Sequence, residues 1–229
     1  MVPTSKDDVI LRFRESERQL HWALAIPFMV SWTTAVVLVA VYNPHPERPF
    51  RFLFSWLHRA SGLWLCVLPL WTLFVHRRDY RVYLQNIREA WGWTLDDLKW
   101  LALMGPSTVS AKVTLPDQGK FNAAEKINFM SVMSTYPLYI VTGVLIWLPG
   151  VALIAWLVHF SLAVMATPLI LGHIFMATIN PGTRVGLSGM FSGFVDRRWA
   201  HHHHRRWFRE NFERTARRED EKRRAEVVP

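Results

Sequence analysis

The stretch Val151–Thr178, VALIAWLVHFSLAVMATPLILGHIFMAT, is apolar throughout and holds two histidines, His159 and His173. On an α-helix their 14-residue spacing turns through roughly 1400°, within about 40° of whole turns, and rises about 21 Å. Both imidazoles therefore leave nearly the same helix face, at two depths of a bilayer core about 30 Å thick. A polar, ionisable side chain at such depth is costly without a partner and points to function. We read each histidine as an axial ligand of one haem iron.

The composition sets the class. The chain has 229 residues, 51% of them hydrophobic, with 12 Trp, 14 Phe and a net charge of +9. Such a charge suits nucleic acid or anionic lipid, and its distribution decides between them. No Asp, Glu, Lys or Arg occurs from Ile127 to Thr183 or from Gln19 to Pro46. Both runs exceed the ~20 residues a membrane span needs. The basic residues lie outside them, so membrane lipid is the expected partner and nucleic acid is not. The single cysteine, Cys66, sits in an apolar run and reads as a buried thiol. The first 18 residues are charged rather than apolar, so no cleavable signal peptide is expected.

Outward from the opening stretch, the pattern predicts an all-α membrane protein, a bundle of four transmembrane helices. The spans are expected at about 20–42, 52–75, 127–148 and 151–179, with residues 1–19 ahead of them, a connection over 77–126 and a basic tail over 184–229. DDVILRFRESERQ reads as a surface helix with a partial apolar face. RVYLQNIREAW and TLDDLKWLALM read as helices, the second opened by a cap-like Thr94 with Asp97 three residues on. Gly105 to Gly119 is rich in turn residues and is expected to be irregular. Each span carries one interior proline, Pro27, Pro69, Pro137 and Pro168, which membrane helices tolerate as kinks. Lys and Arg number 4 before the first span, 8 in the connection and 12 in the tail, against 3 in the other loops and span starts. The excess side is cytoplasmic, so both termini are expected inside.

That orientation sorts four histidines by depth. His21 starts an outward-running span, near the inner face. His58 and His159 each lie about two turns into an inward-running span, near the outer face. His173 lies about 21 Å deeper than His159. The pairs His58–His159 and His21–His173 thus match in depth, as two bis-histidine b-type haems stacked across the membrane require. A lone histidine in an apolar span is most often a hydrogen-bonded structural residue; four at matched depths on three helices are not so explained. Zinc is the weaker option, because its sites gather three or four close ligands. Gly62, Gly143, Ala163 and Gly172 leave room near the histidines, for a flat ring or for plain helix packing. Arg18 and Arg59, near ligands, are placed to pair with haem propionates or to anchor at the interface. His45 and His76 lie at span ends and read as surface residues. The run His201–His204 reads as a membrane-surface or partner-facing segment rather than a metal site, and WFRENFERTARREDEKRR beyond it as a solvated amphipathic helix.

RQLHW, WLHRASGLWL, GKFNAAEKINF and GHIFMATINPGTRVGLSGMFSGFVDRRWAHHHHRRWFRE together resemble the γ subunit of membrane-bound respiratory formate dehydrogenase, a cytochrome b of the b556 type. The resemblance covers most of the chain and is weakest over about residues 77–116. It implies the same ligand set, His58 with His159 for the outer haem b and His21 with His173 for the inner one. It implies a bacterial cytoplasmic (inner) membrane location and two partners. These are a molybdenum- or tungsten-containing catalytic α subunit that oxidises formate outside, and an iron–sulfur β subunit that passes electrons to the outer haem. The electrons would then reach a quinone, menaquinone or ubiquinone, near the cytoplasmic face, and the charge movement would build proton-motive force. The complex is expected to be able to form a trimer. The resemblance also implies that Asn122, Ala124, Glu125, Gly172 and His173 line the quinone pocket. Here Ala124 and Glu125 stand where the family typically has glycine and glutamine, and Glu125 becomes a candidate proton relay if burial raises its pKa, or else an ion-pair partner of Lys120 or Lys126. The alternatives are the cytochrome b of a membrane hydrogenase or of another periplasmic molybdoenzyme, and, in a different class, a haem-free anchor or transporter. No nucleophile–base triad or phosphate loop suggests chemistry by this chain alone.

Overall fold

The computed structural model describes residues 8–110 and 112–214. The chain divides into two compact units. One unit comprises Phe13–Tyr83 and Ser131–Met176; the other comprises the described parts of Met1–Arg12, Leu84–Met130 and Ala177–Pro229.

The first unit is built from four long helices, α1 (Glu15–Val37), α2 (Arg51–Val75), the greater part of α5 (Ala123–Leu145) and α6 (Ala152–Ile174). A carboxylate opens α1: the Glu17 side chain accepts the backbone N–H of Arg14, 2.8 Å away, satisfying a donor that the first turn would otherwise leave unpaired. Pro27, Pro69, Pro137 and Pro168 all lie inside these helices. The last turns of α1 and α6 widen into π-helical segments, Leu38–Tyr42 and Phe175–Ile179. With those segments both helices reach 28 residues and are long and apolar enough to cross a membrane; α2 and α5, 25 and 23 residues, approach them in length. Little of the apolar stretch of either helix is buried within the chain. In α6 only Ala155 is buried, while Leu153, Ile154 and Met165 stand exposed.

Short polar contacts join the four helices. The Ser31 and Ser61 hydroxyls meet at 2.7 Å, Trp32 donates to the Thr167 hydroxyl at 3.1 Å, and the Tyr136 hydroxyl donates to the Leu65 carbonyl at 2.9 Å. Phe28 packs edge-on against Tyr139. Small hydroxyls suit this setting because each can return its hydrogen to its own helix: Thr34, Thr142 and Thr167 all donate to the carbonyl four residues back and leave no unpaired donor.

The second unit holds what the sequence left as polar segments. Val9–Leu11 was expected to be helical; it is a strand, β1, paired antiparallel with β2, Phe194–Asp196. Its three residues include the β-favouring Val9 and Ile10, and the pairing puts Ile10 opposite Val195, both buried with Ala200, Trp207 and Phe208. A local helical pattern lost to a partner nearly two hundred residues away. The helices α3 (Tyr80–Trp91, which begins at the edge of the first unit), α4 (Leu95–Val109), α7 (Leu187–Phe191), α8 (Arg197–His203) and α9 (Arg205–Phe208) follow in chain order. The expected cap is present: the Thr94 hydroxyl accepts the Asp97 N–H while Asp97 accepts the Thr94 N–H. The helix it opens runs through Gly105 and Pro106 to Val109, which corrects the expectation of an irregular chain from Gly105. An internal proline removes one ladder bond, and the first turn's cap and the buried Asp97 and Trp100 hold the helix regardless. The tail helix expected from Trp207 onward is seen as α9 and a π-helical turn to Glu213; its remainder lies outside the described residues.

A candidate two-haem site

Two histidine pairs come together in the first unit. The rings of His58 and His159 have centres 6.2 Å apart with planes at 78°. Those of His21 and His173 have centres 6.3 Å apart with planes at 56°. An imidazole nitrogen binds a metal at about 2.0–2.1 Å, so one iron held end-on between two rings puts their centres about 6–6.5 Å apart. Both pairs meet that requirement, and they are the pairs expected from depth alone.

Hydrogen-bond accounting fixes how the first pair presents itself. His58 Nδ1 lies 2.9 Å from the Ser31 carbonyl, a group that can only accept, so Nδ1 carries the proton. Thr34 sits 3.2 Å from the same nitrogen and gives its own hydrogen to its helix. His159 Nδ1 lies 2.9 Å from the Thr142 hydroxyl. That hydroxyl spends its one hydrogen on the Leu138 carbonyl at 2.6 Å, so it too must accept. In the neutral ring each histidine therefore keeps its Nε2 lone pair free to ligate, the arrangement in which an outer hydrogen bond orients a metal ligand. Tyr139 packs edge-on against His159, 5.5 Å between centres, and confines the ring.

The small residues near the pairs differ in the space beside them. A side-chain carbon at Gly62 or Gly172 would meet nothing within 4 Å, whereas one at Gly143 would touch His159 Cε1 at 3.5 Å. His21 packs edge-on against Trp22, and His173 lies in the last turn of α6, just before the π-helical segment. Arg59 lies over the rings of Trp56 and Trp147, at 5.7 and 5.9 Å. His76 pairs with Gln19 at 2.8 Å on the exposed surface, and His45 lies beside Glu47.

The expected quinone-pocket residues divide between the units. Gly172 and His173 belong to the helical unit; Asn122, Ala124 and Glu125 belong to the other. Asn122 and Glu125 form a reciprocal cap at the start of α5. The Asn122 side chain accepts the Glu125 N–H at 2.9 Å, and Glu125 accepts the Asn122 N–H at 2.8 Å. Glu125 pairs with neither Lys120 nor Lys126 but with Arg12, whose guanidinium donates at 3.0 and 3.2 Å. Burial would raise the Glu125 carboxyl; Arg12 outweighs it and holds the group below its usual range. The raised pKa that a relay at Glu125 would use is thus absent. Lys126 instead pairs with Asp97 at 3.0 Å and donates to the Gly92 carbonyl at 2.9 Å.

The run His201–His204 is not uniformly surface-facing. His204 is buried, its Nδ1 2.9 Å from the Gly119 carbonyl, and burial, seconded by Arg12, pushes its imidazole down to about 3. Among the described residues no cluster of three or more His, Cys, Asp or Glu could hold a metal ion. The sequence reading missed Ser31, Thr34, Thr142 and Tyr139, the groups that orient the imidazoles. A hydroxyl in an apolar span ordinarily signals only bonding back to its own helix.

The sequence is similar to known proteins over most of its length. The chain is 27% identical over 240 positions, 95% of its length and 98% of the relative's, to the cytochrome b556(Fdn) subunit of the nitrate-inducible formate dehydrogenase of Escherichia coli (strain K12). It is 28% identical over 225 positions, 91% of its length and 86% of the relative's, to the formate dehydrogenase cytochrome b556 subunit of Haemophilus influenzae (strain ATCC 51907 / DSM 11121 / KW20 / Rd). It is 28% identical over 214 positions, 89% and 93% of the two lengths, to the formate dehydrogenase cytochrome b556(fdo) subunit of Escherichia coli (strain K12). Residues 12–193, which include all four imidazoles of the two pairs, match the prokaryotic cytochrome b561 family, and the chain belongs to that family.

Proposed function

We propose that this chain is the di-haem cytochrome b subunit of a formate dehydrogenase, carrying electrons across the bacterial inner membrane from an iron–sulfur partner subunit to quinone near the cytoplasmic face. The observation that carries the reading is the pair of imidazole pairs, each spaced for one iron, in a chain of a cytochrome b family. Its relatives are named as formate dehydrogenase subunits, which supports a catalytic α subunit and an iron–sulfur β subunit as partners. In this reading α1, α2, α5 and α6 are four spans, with both termini cytoplasmic.

A haem b held in each site supplies a one-electron carrier. The protein's part is to hold and orient. Ser31, Thr34 and Thr142 keep the Nδ1 protons of His58 and His159 engaged, so that each ring offers Nε2 in a fixed direction. The apolar helices exclude water around both pairs. The rise from His159 to His173 on α6 spreads the two sites over about 21 Å of membrane depth, with His58 and His159 towards the electron donor and His21 and His173 towards quinone. Electrons moving inward while the protons of formate oxidation stay outside would contribute to proton-motive force.

The test is to purify the chain with whatever co-purifies, measure haem b per polypeptide, and then add formate. Two haems per chain, reduced by formate, are expected. A folded, colourless protein would remove the haem reading in favour of an anchor or transporter. Haems reduced by hydrogen but not by formate would transfer the chain to a hydrogenase.

A further inference from the structure

Helix α4 presents an apolar stripe that nothing in its own unit covers. At about 100° per residue, Leu95, Leu98, Ala102, Gly105 and Val109 fall within about 80° of one another around the helix, and all five are exposed, with Leu95 at 74% and Val109 at 88%. Asp97 and Trp100 lie on the opposite side and are buried. That side is locked. The Thr94–Asp97 cap and the ion pair from Asp97 to Lys126, both side chains fully buried, fix the rotation of the helix about its axis. The stripe is therefore a set orientation and not an average over several.

We infer that α4 lies in the plane of the membrane, with this stripe buried at the lipid interface. Its 15 residues span about 22 Å, too short to cross a core of about 30 Å. A helix with one apolar face and one polar face seats at the headgroup–acyl boundary instead. Lys99 is exposed on the flank of the stripe and Lys112 just beyond the helix end, where each can meet an anionic headgroup. Trp91, exposed at 47%, precedes it and is of the residue type that favours the membrane–water boundary. The chain on either side of α4 leads into long helices, back to α2 and on to α5, so the segment is tethered to the bilayer at both ends. The inference rests on the membrane reading given above.

The full chain, in its complex, would be placed in nanodiscs of zwitterionic and anionic phospholipid. In a Cys66→Ser background, spin labels would be attached at Leu98→Cys, at Ala102→Cys as a second site should the first fail to fold, at Asp96→Cys off the stripe, and at Val164→Cys on the exposed face of α6. Collisions with oxygen, which partitions into lipid, and with a water-soluble nickel chelate would be compared. The stripe labels are expected to favour oxygen several-fold over the Asp96 label, and to lose part of that preference when the anionic lipid is omitted. A lipid-like Val164 label beside stripe labels that favour the chelate would overturn the interfacial helix alone. Stripe labels shielded from both reagents would overturn it in favour of a protein partner. A Val164 label that favours the chelate would overturn the membrane reading beneath it.

Discussion

The two units hold hydrogen-bonded histidines in different surroundings. His58 and His159 in the helical unit and His204 in the other all sit with Nδ1 against an oxygen acceptor. By that criterion alone they are alike. They differ in what lies beyond the ring. His58 faces a second imidazole at 6.2 Å, a separation that matches one metal held between two rings. His204 faces the ring of Trp199 at 5.3 Å and the Arg12–Glu125 pair. Even the adjacent His202 and His203, with ring centres 4.9 Å apart, are too close for an iron held end-on. What sets His58 and His159 apart from His204 is a second imidazole at a separation that suits one metal.

The contrast can be broken most decisively by removing imidazoles. His159→Ala or His58→Ala is expected to cost the chain one haem, as is His21→Ala or His173→Ala at the other pair. His204→Gln should leave haem content unchanged. Haem-to-protein ratios of the purified variants check this, and a loss of haem in the His204 variant would erase the distinction.

The units also differ in how they satisfy polar groups. The second relies on charge, above all Lys126 with Asp97. Asp97→Asn strands a buried ammonium and is expected to cost about 3–5 kcal/mol, read as a lowered unfolding temperature in detergent. The double change Asp97→Leu with Lys126→Met should recover much of it.

Acid sharpens the comparison further. The folded pKa of His204 is about 3, below its ordinary 6.5, with Arg12, Glu125 and His203 about it. The unfolded chain therefore binds a proton that the folded chain refuses. The stability conferred by a neutral His204 is fully present above pH ~6.5 and is lost progressively as the pH falls from there towards 3. Glu125, held below its usual range, adds a loss of the same sign at still lower pH. His204→Gln should flatten the upper part of that decline in a pH series of unfolding temperatures.

The smallest expected effect separates the two ligand pairs. Thr142→Val removes the acceptor of His159 Nδ1, lowers the basicity of the ligand and should raise the midpoint potential of one haem while leaving the other unmoved. Thr34→Val should shift it less, because the Ser31 carbonyl still holds His58. A redox titration of the absorption bands resolves both.

The helical unit was legible in the sequence because its rules are short-range. The charge-free runs, the proline and glycine punctuation and the 14-residue histidine spacing all act within one helix or between consecutive ones, and the expected helix limits recur within a few residues. The pairing of His58 with His159 also followed, because a bilayer reduces placement to depth. The second unit was not legible in this way. Val9–Leu11 is a strand only because residues 194–196 exist, and Glu125 is ionised by Arg12, 113 positions earlier. His204 looks like its three neighbours until the carbonyl of Gly119 is brought to it. Such contacts are set by tertiary partners, and no local pattern announces them.

The pairing of β1 with β2 also orders events in time. Arg12 donates its backbone N–H to Gly193, and the strands close only when residues 194–196 have left the ribosome. By then His21, His58, His159 and His173, carried by α1, α2 and α6, have been synthesised. The N-terminal strand thus waits for a partner that is made after all four long helices. A nascent product that stops before Phe194 would carry all four paired histidines and still have β1 unpaired and Ile10 without Val195 opposite it.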